Sequence, residues 1–209
     1  MVENKNTATV TGLLTEIIED HSVLGEKLYT GQLKCTRLSG YDDMIPVTIP
    51  ERLLGTKKVE EVLGPISVTG QVRSYNKTVD GASRLVLTLF AQDFKTPEPD
   101  DPQNHVVIEG TISRQPNFRI TPFGREICDL MLAVPRRYGK SDYSPCIVWG
   151  RNGRWSSGLA VGSSVVITGR LQSREYEKLL DSGEVEKRMA YELSAFDISV
   201  ATEEARALA

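Results

Sequence analysis

Two halves of this chain spell nearly the same pattern, about one hundred residues apart. Asn6 to Gly12 read NTATVTG, and Asn104 to Gly110 read NHVVIEG. Gly25-Glu26-Lys27-Leu28 aligns with Gly124-Arg125-Glu126-Ile127, DMIP from Asp43 with DYSP from Asp142, and Arg52 with Arg151. SVTGQVRS from Ser67 faces VITGRLQS from Val166, and RLVLTLFAQD from Arg84 faces RMAYELSAFD from Arg188. Such a period is the length of a small domain and too long for a solenoid repeat. The chain is therefore read as two copies of one module.

Within each copy, short alternating β-branched runs are cut by turn residues, the pattern of a small sandwich or barrel. Strands are expected near 7–19, 27–37, 44–50, 66–75 and 84–94, and again near 105–114, 125–135, 143–150, 164–175 and 187–199. Between the third and fourth strands lies the helix-like stretch of each module. In the first it runs from Pro50 through Leu54 to Leu63, with Pro50 suited to a helix start. In the second it is Arg151 to Val161, where Gly153 and Gly158 predict a shorter or irregular turn. Five strands with a short helix between strands three and four describe an OB-fold. The fold class expected is all-β: two tandem five-stranded OB-fold barrels. The first module spans 1–95 and the second 104–201. The proline-rich, acidic run 96–103 (TPEPDDPQ) is an extended linker, and 202–209 is a tail that can form a helical turn or two.

Bulk properties narrow the function. The three cysteines, Cys35, Cys128 and Cys146, are odd in number and set among apolar residues, so they read as buried thiols in a reducing compartment. MVENKNTATV has no apolar signal-peptide core and no run reaches the roughly 18 apolar residues of a membrane span, so a cytoplasmic location without membrane contact is expected. No cofactor, metal or catalytic constellation is expected either. His21 and His105 lack metal-ligand spacing, and there is no phosphate loop or nucleophile elbow. Net charge is −3, but it is uneven: residues 1–103 hold 11 basic and 15 acidic side chains, residues 104–209 hold 14 and 13. The second module is the better match for an anionic polymer.

The second module carries a family likeness. VVIEG (Val106–Gly110), GREICDLMLAVPRR (Gly124–Arg137), PCIVWGR (Pro145–Arg151) and GSSVVITGRLQSREY (Gly162–Tyr176) resemble, in order and spacing, the strands of the bacterial single-stranded-DNA-binding protein family. The first module resembles it more weakly, chiefly through Val68–Tyr75 and Arg84–Asp93. The primosomal replication protein of the same fold is a related likeness. The family resemblance implies base-stacking aromatics at Tyr138, Tyr143, Trp149 and Tyr176. It also implies four OB-folds per assembly, hence a homodimer of this two-barrel chain, with replication, recombination or repair as the setting in a bacterial nucleoid, phage or plasmid context. Exposed first-strand edges are the expected pairing surface between chains. The family's acidic-aromatic C-terminal tip has no counterpart in residues 202–209, so recruitment of protein partners is not part of the expectation.

Gripping an unpaired strand requires flat rings for the bases and cations for the phosphates. Arg136, Arg137, Tyr138 and Lys140 form one such cluster, with Tyr143 nearby. Trp149 is followed by Arg151. It alternates with Ile147, so burial and binding both fit it, while Trp155 is expected to pack. Arg170, Arg174 and Tyr176 share strand parity and thus one face. The first module offers Arg73, Tyr75 and Lys77 in the same manner, with Arg84 and Arg188 opening the fifth strands. Arg37 and Arg52 are further cations of the first module, and Arg125 reads equally well as a solvated residue. The expected ligand is single-stranded DNA bound without strong sequence preference. Single-stranded RNA is not distinguished from it by stacking chemistry. The alternative is an interaction or primosome-type scaffold that keeps the fold and binds nucleic acid weakly or not at all.

Overall fold

In the first half of the computed structural model, alternation becomes five strands: β1 (Asn6–Val23), β2 (Glu26–Thr36), β3 (Asp42–Pro50), β4 (Gly64–Val79) and β5 (Ala82–Lys95). In the second it becomes six: β6 (Asn104–Ile112), β7 (Asn117–Ile120), β8 (Glu126–Pro135), β9 (Ser141–Trp149), β10 (Ser164–Leu179) and β11 (Val185–Val200). The short β7 is an addition to the expected five and forms a hairpin with β8. The structure describes residues 5–79, 81–136, 139–179 and 183–202.

Each set closes on itself. β1 pairs with both β4 and β2, and the ring continues through β3 and β5 back to β4. In the second half β6 pairs with β10 and β8, and β9 and β11 complete the circuit. The alternating side chains that point inward form the core, with Leu33, Val47 and Leu89 in one barrel and Leu132, Ile167 and Leu193 in the other, all fully buried. Both sets belong to one contiguous apolar cluster.

The first-strand edges are not free to pair with another chain. β1 and β6 pair antiparallel within the chain, Asn6 opposite Ile108, Ala8 opposite Val106 and Val10 opposite Asn104. The expectation that these edges join two chains is corrected accordingly. The physical reason is proximity: the linker delivers β6 beside β1, and Thr11 holds its end by bonding to the Pro102 and Gln103 carbonyls. Asn6 and Asn104 start the two strands in the same way. The Asn6 amide bridges the backbone of Val72, both bonds at 2.9 Å, and the Asn104 amide bridges Leu171 at 2.7 and 2.9 Å.

The helix expectation is reversed between the modules. The leucine-rich segment of the first forms two 3-10 turns, Glu51–Leu53 and Val59–Val62, because Gly55 adopts φ +58° and breaks the run. The glycine-containing segment of the second forms α1 (Gly150–Ser156). Gly153 permits this by close approach: a Cβ there would lie 2.6 Å from the Val148 carbonyl oxygen. Gly153→Ala should therefore lower stability by about 1–3 kcal/mol through overpacking, despite the better helix propensity of alanine. Urea midpoints of the two proteins measure the sign.

All three thiols are buried, and burial pushes that of Cys146 up to about 12. At pH 8 the native protein should resist a thiol-specific disulfide reagent, and reaction of all three should require denaturant.

Candidate nucleic-acid interface

The β2–β3 turn of the first barrel does not stay on its own barrel. It is closed by the Arg37 N–H bonding to the Tyr41 carbonyl at 2.8 Å, with Gly40 at φ +80°. Arg37 grips Asp43 with Nε and Nη2, both at 2.6 Å. Asp43, fully buried, also accepts the N–H of Ser173 on β10 of the second barrel at 2.8 Å. The Ser173 hydroxyl in turn accepts the Met44 N–H at 2.9 Å. This carboxylate holds the Arg37 guanidinium above its usual range.

The second barrel returns the same clasp. The Arg136 N–H bonds to the Lys140 carbonyl at 2.7 Å, and Arg136 grips buried Asp142 through Nε and Nη2. Asp142 accepts the Ser74 N–H on β4, Arg136 donates to the Ser74 carbonyl at 3.0 Å, and the Ser74 hydroxyl accepts the Tyr143 N–H at 2.7 Å. Each barrel thus sends its β2–β3 type turn onto the fourth strand of the other.

This crossing divides the expected site residues. Arg136 and Tyr143 bond to Ser74 of the first barrel, with Arg136 near Arg73, and Lys140 closes the same turn through its carbonyl, so Arg136 is engaged in the clasp instead of lying open beside Trp149. Arg137 and Tyr138 lie outside the described residues. Trp149, Arg170 and Arg174, however, line one groove of about 520 Å³, together with Arg125 and Phe196 of their own barrel and Arg37 and Tyr41 of the other.

The groove is built for anions and flat groups. Trp149 ends β9, and its Nε1 donates to the Ser194 hydroxyl at 3.0 Å, which fixes a ring that is 36 % exposed. Phe196 is the extra residue at the bulge where Thr168 pairs with Asp197 but Gly169 pairs with Ala195, and it turns outward, 55 % exposed. The Arg170 guanidinium stands 5.8 Å from the Phe196 ring, that of Arg174 5.7 Å from Tyr176, and that of Arg37 4.7 Å from Tyr41. Glu192 is buried below, accepting from Gln172 Nε2 at 2.7 Å and lying 3.7 Å from Arg174 Nε. The Arg170 Nε–H is buried without an acceptor in the protein, and burial together with nearby Arg37 pushes this guanidinium down. Among the described residues neither Arg125 nor Arg170 has an ion-pair partner.

Elsewhere the expected cations have neighbours of their own. Arg73 lies 3.8 Å over the Phe90 ring, lowered by burial and by Arg136. Arg84 and Arg188, from the two fifth strands, share Glu186 at 3.2 and 2.6 Å. Tyr75 and Lys77 are exposed on β4, Arg151 is exposed on α1, and Trp155, expected to pack, is 46 % exposed. Tyr41 and Phe196 were not among the expected site residues. Arg125 and Arg37 had been read only as cations. The repeat of DMIP and DYSP was the one signal that the turn before it carries a shared structural duty.

Residues 103–201 match the model of the single-strand binding protein family. The chain is similar to single-stranded DNA-binding protein 2 of Listeria innocua, 32% identical over 35% of this chain and 51% of that protein. Single-stranded DNA-binding protein A of Bacillus subtilis is 33% identical over 35% of this chain and 47% of its own length. The chain spans about half the length of these curated relatives. The crystal structure of the wild-type single-stranded DNA binding protein from Thermus aquaticus superposes over 97% of this chain and 95% of its own, with a TM-score of 0.74 and 20% identity, a likeness of fold that covers both barrels.

The clasps make a stability prediction. Asp43→Ala leaves Arg37 without its carboxylate and Ser173 without its acceptor. Breaking a buried pair of this kind costs about 3–5 kcal/mol, to be read as a lowered denaturation midpoint with both barrels melting together.

Proposed function

We propose that the chain binds single-stranded DNA without sequence preference, as a protein of replication, recombination or repair. The observation that carries this is the groove in which Arg170, with a buried Nε–H lacking an acceptor, stands beside Arg37 between the exposed rings of Tyr41, Trp149 and Phe196. Guanidinium groups attract phosphates by charge and by paired donors. Rings accept any base by its face, each stacked contact worth about 1–3 kcal/mol. Bases in a duplex present edges instead of faces, so rings of this kind suit unpaired nucleotides. The match of residues 103–201 to the single-strand binding protein family model supports the same reading, as does the similarity to bacterial single-stranded DNA-binding proteins.

Stacking and phosphate contacts act equally on RNA, and DNA is taken as the ligand on the strength of those relatives. Competition between oligo-dT and oligo-U measures the preference. A homodimer carrying four barrels is part of the proposal. Since β1 and β6 occupy each other's edges, the second copy meets another surface, and light scattering should return twice the 23.2 kDa chain mass.

Oligo-dT should quench the tryptophan fluorescence, because Trp149 lines the groove. Replacing Arg170 and Arg174 together by alanine should weaken binding at least tenfold for every sequence. It should also reduce the slope of log K against log salt by about 1.4, for two phosphate contacts to a single strand. Unchanged affinity and slope in the double variant would remove the groove from the binding surface.

A further inference from the structure

We infer that the chain carries one strong strand-binding groove and one weak one, so that a short strand binds once per chain, across the face of the second barrel and the turn of the first. This deepens the strand-binding proposal above and presupposes it. The crossed clasps place equivalent backbone frames on the two barrels, so the groove on the second has an equivalent region on the first. Gly70 pairs with Ala8 as Gly169 pairs with Val106, and Gln71 faces Phe90 as Arg170 faces Ser194. Leu28 faces Pro50 as Ile127 faces Trp149. Structural equivalence is therefore fixed position by position, and the side chains can be compared directly.

The clasp residues are the same on both sides, and the ligand-facing ones are not. Where the groove on the second barrel has Arg170, its counterpart has Gln71. Trp149 corresponds to Pro50, and Arg125 to Glu26, which is held at 2.6 Å by Arg52. The bulge residue Phe196 corresponds to Gln92. The turn residue facing the second barrel is Tyr41, and the one facing the first is Lys140. Among the described residues three rings, Tyr41, Trp149 and Phe196, and two open guanidinium groups thus lack a like counterpart on the first-barrel side, where Tyr75 and Tyr143 are the exposed rings. Arg73 and Phe90 there are closed on each other at 3.8 Å, so each occupies the face that a base or phosphate would use. Each stacked ring is worth roughly tenfold to a hundredfold in affinity, so a net difference of one ring, with two open guanidinium groups besides, separates the two sides by at least about tenfold.

Calorimetric titration of the full chain with oligo-dT of about eight nucleotides, within the site size of one OB barrel, tests this at moderate salt. One oligonucleotide per chain is expected, and Arg170→Gln, which installs the counterpart's own residue, should weaken that site severalfold. Two equal sites per chain would overturn the inference while leaving strand binding intact, as would a single site whose affinity Arg170→Gln leaves unchanged. Absence of binding even at low salt would instead remove the strand-binding proposal. A gain arm is independent of any loss of fold: Glu26→Arg with Gln71→Arg should add a second detectable site, and a stoichiometry that stays at one in this variant counts against assigning the difference to these positions.

Discussion

Two buried carboxylates hold the molecule together. Asp43 and Asp142 sit in the barrel interface at 0% and 2% exposure, and an ionised group there is tolerable only with full compensation. Each obtains it from a forked arginine on its own turn and a backbone N–H on the opposite barrel. Neither barrel alone supplies all of its aspartate's partners. The β1–β6 ladder sets the barrels side by side, and the clasps fix the β2–β3 and β8–β9 turns against the facing fourth strands. The groove follows from that, since Tyr41 is carried on the clasped turn and Trp149 on the barrel it reaches.

The strands were legible because one face of each is buried and the sequence must alternate to achieve it. Closure into barrels was legible from strand number and spacing. What sequence could not supply was anything set by approach between distant segments. Gly153 read as a helix breaker because propensity describes an isolated helix, whereas its missing Cβ is what lets α1 sit on the Val148 carbonyl. Arg136 read as part of a basic cluster with Tyr138 and Lys140 because the three are neighbours in sequence. Its real partners, Asp142 and Ser74, include one 62 residues away on the other barrel. Phe196 was invisible as a site residue because strict alternation assigns it a face, and the bulge at Gly169 changes that assignment by one position. Arg170 and Arg174 were found because both lie on an uninterrupted stretch of β10, where parity holds.

Net charge also misled by averaging. A chain at −3 is a poor candidate for an anionic ligand if its charges act together. They do not, because screening limits exposed charges to about 8–10 Å at physiological salt. Within that range the groove has four arginines, of which Arg37 is neutralised by Asp43 and Arg174 faces Glu192 at 3.7 Å. Arg125 and Arg170 contribute a local positive field that the acidic surface elsewhere does not cancel.

The two kinds of arginine in this interface have opposite relations to stability. Arg37 and Arg136 stabilise the fold because every donor directed at the clasp meets an acceptor. Arg170 is held in place with its Nε–H buried and unmatched, next to a like charge. A buried donor without an acceptor costs about 1–3 kcal/mol. In the proposed complex a phosphate oxygen would supply that acceptor, and meeting the donor would add to affinity. The same linkage requires bound strand to raise the stability of the folded chain, so ligand affinity and fold stability are coupled at one side chain.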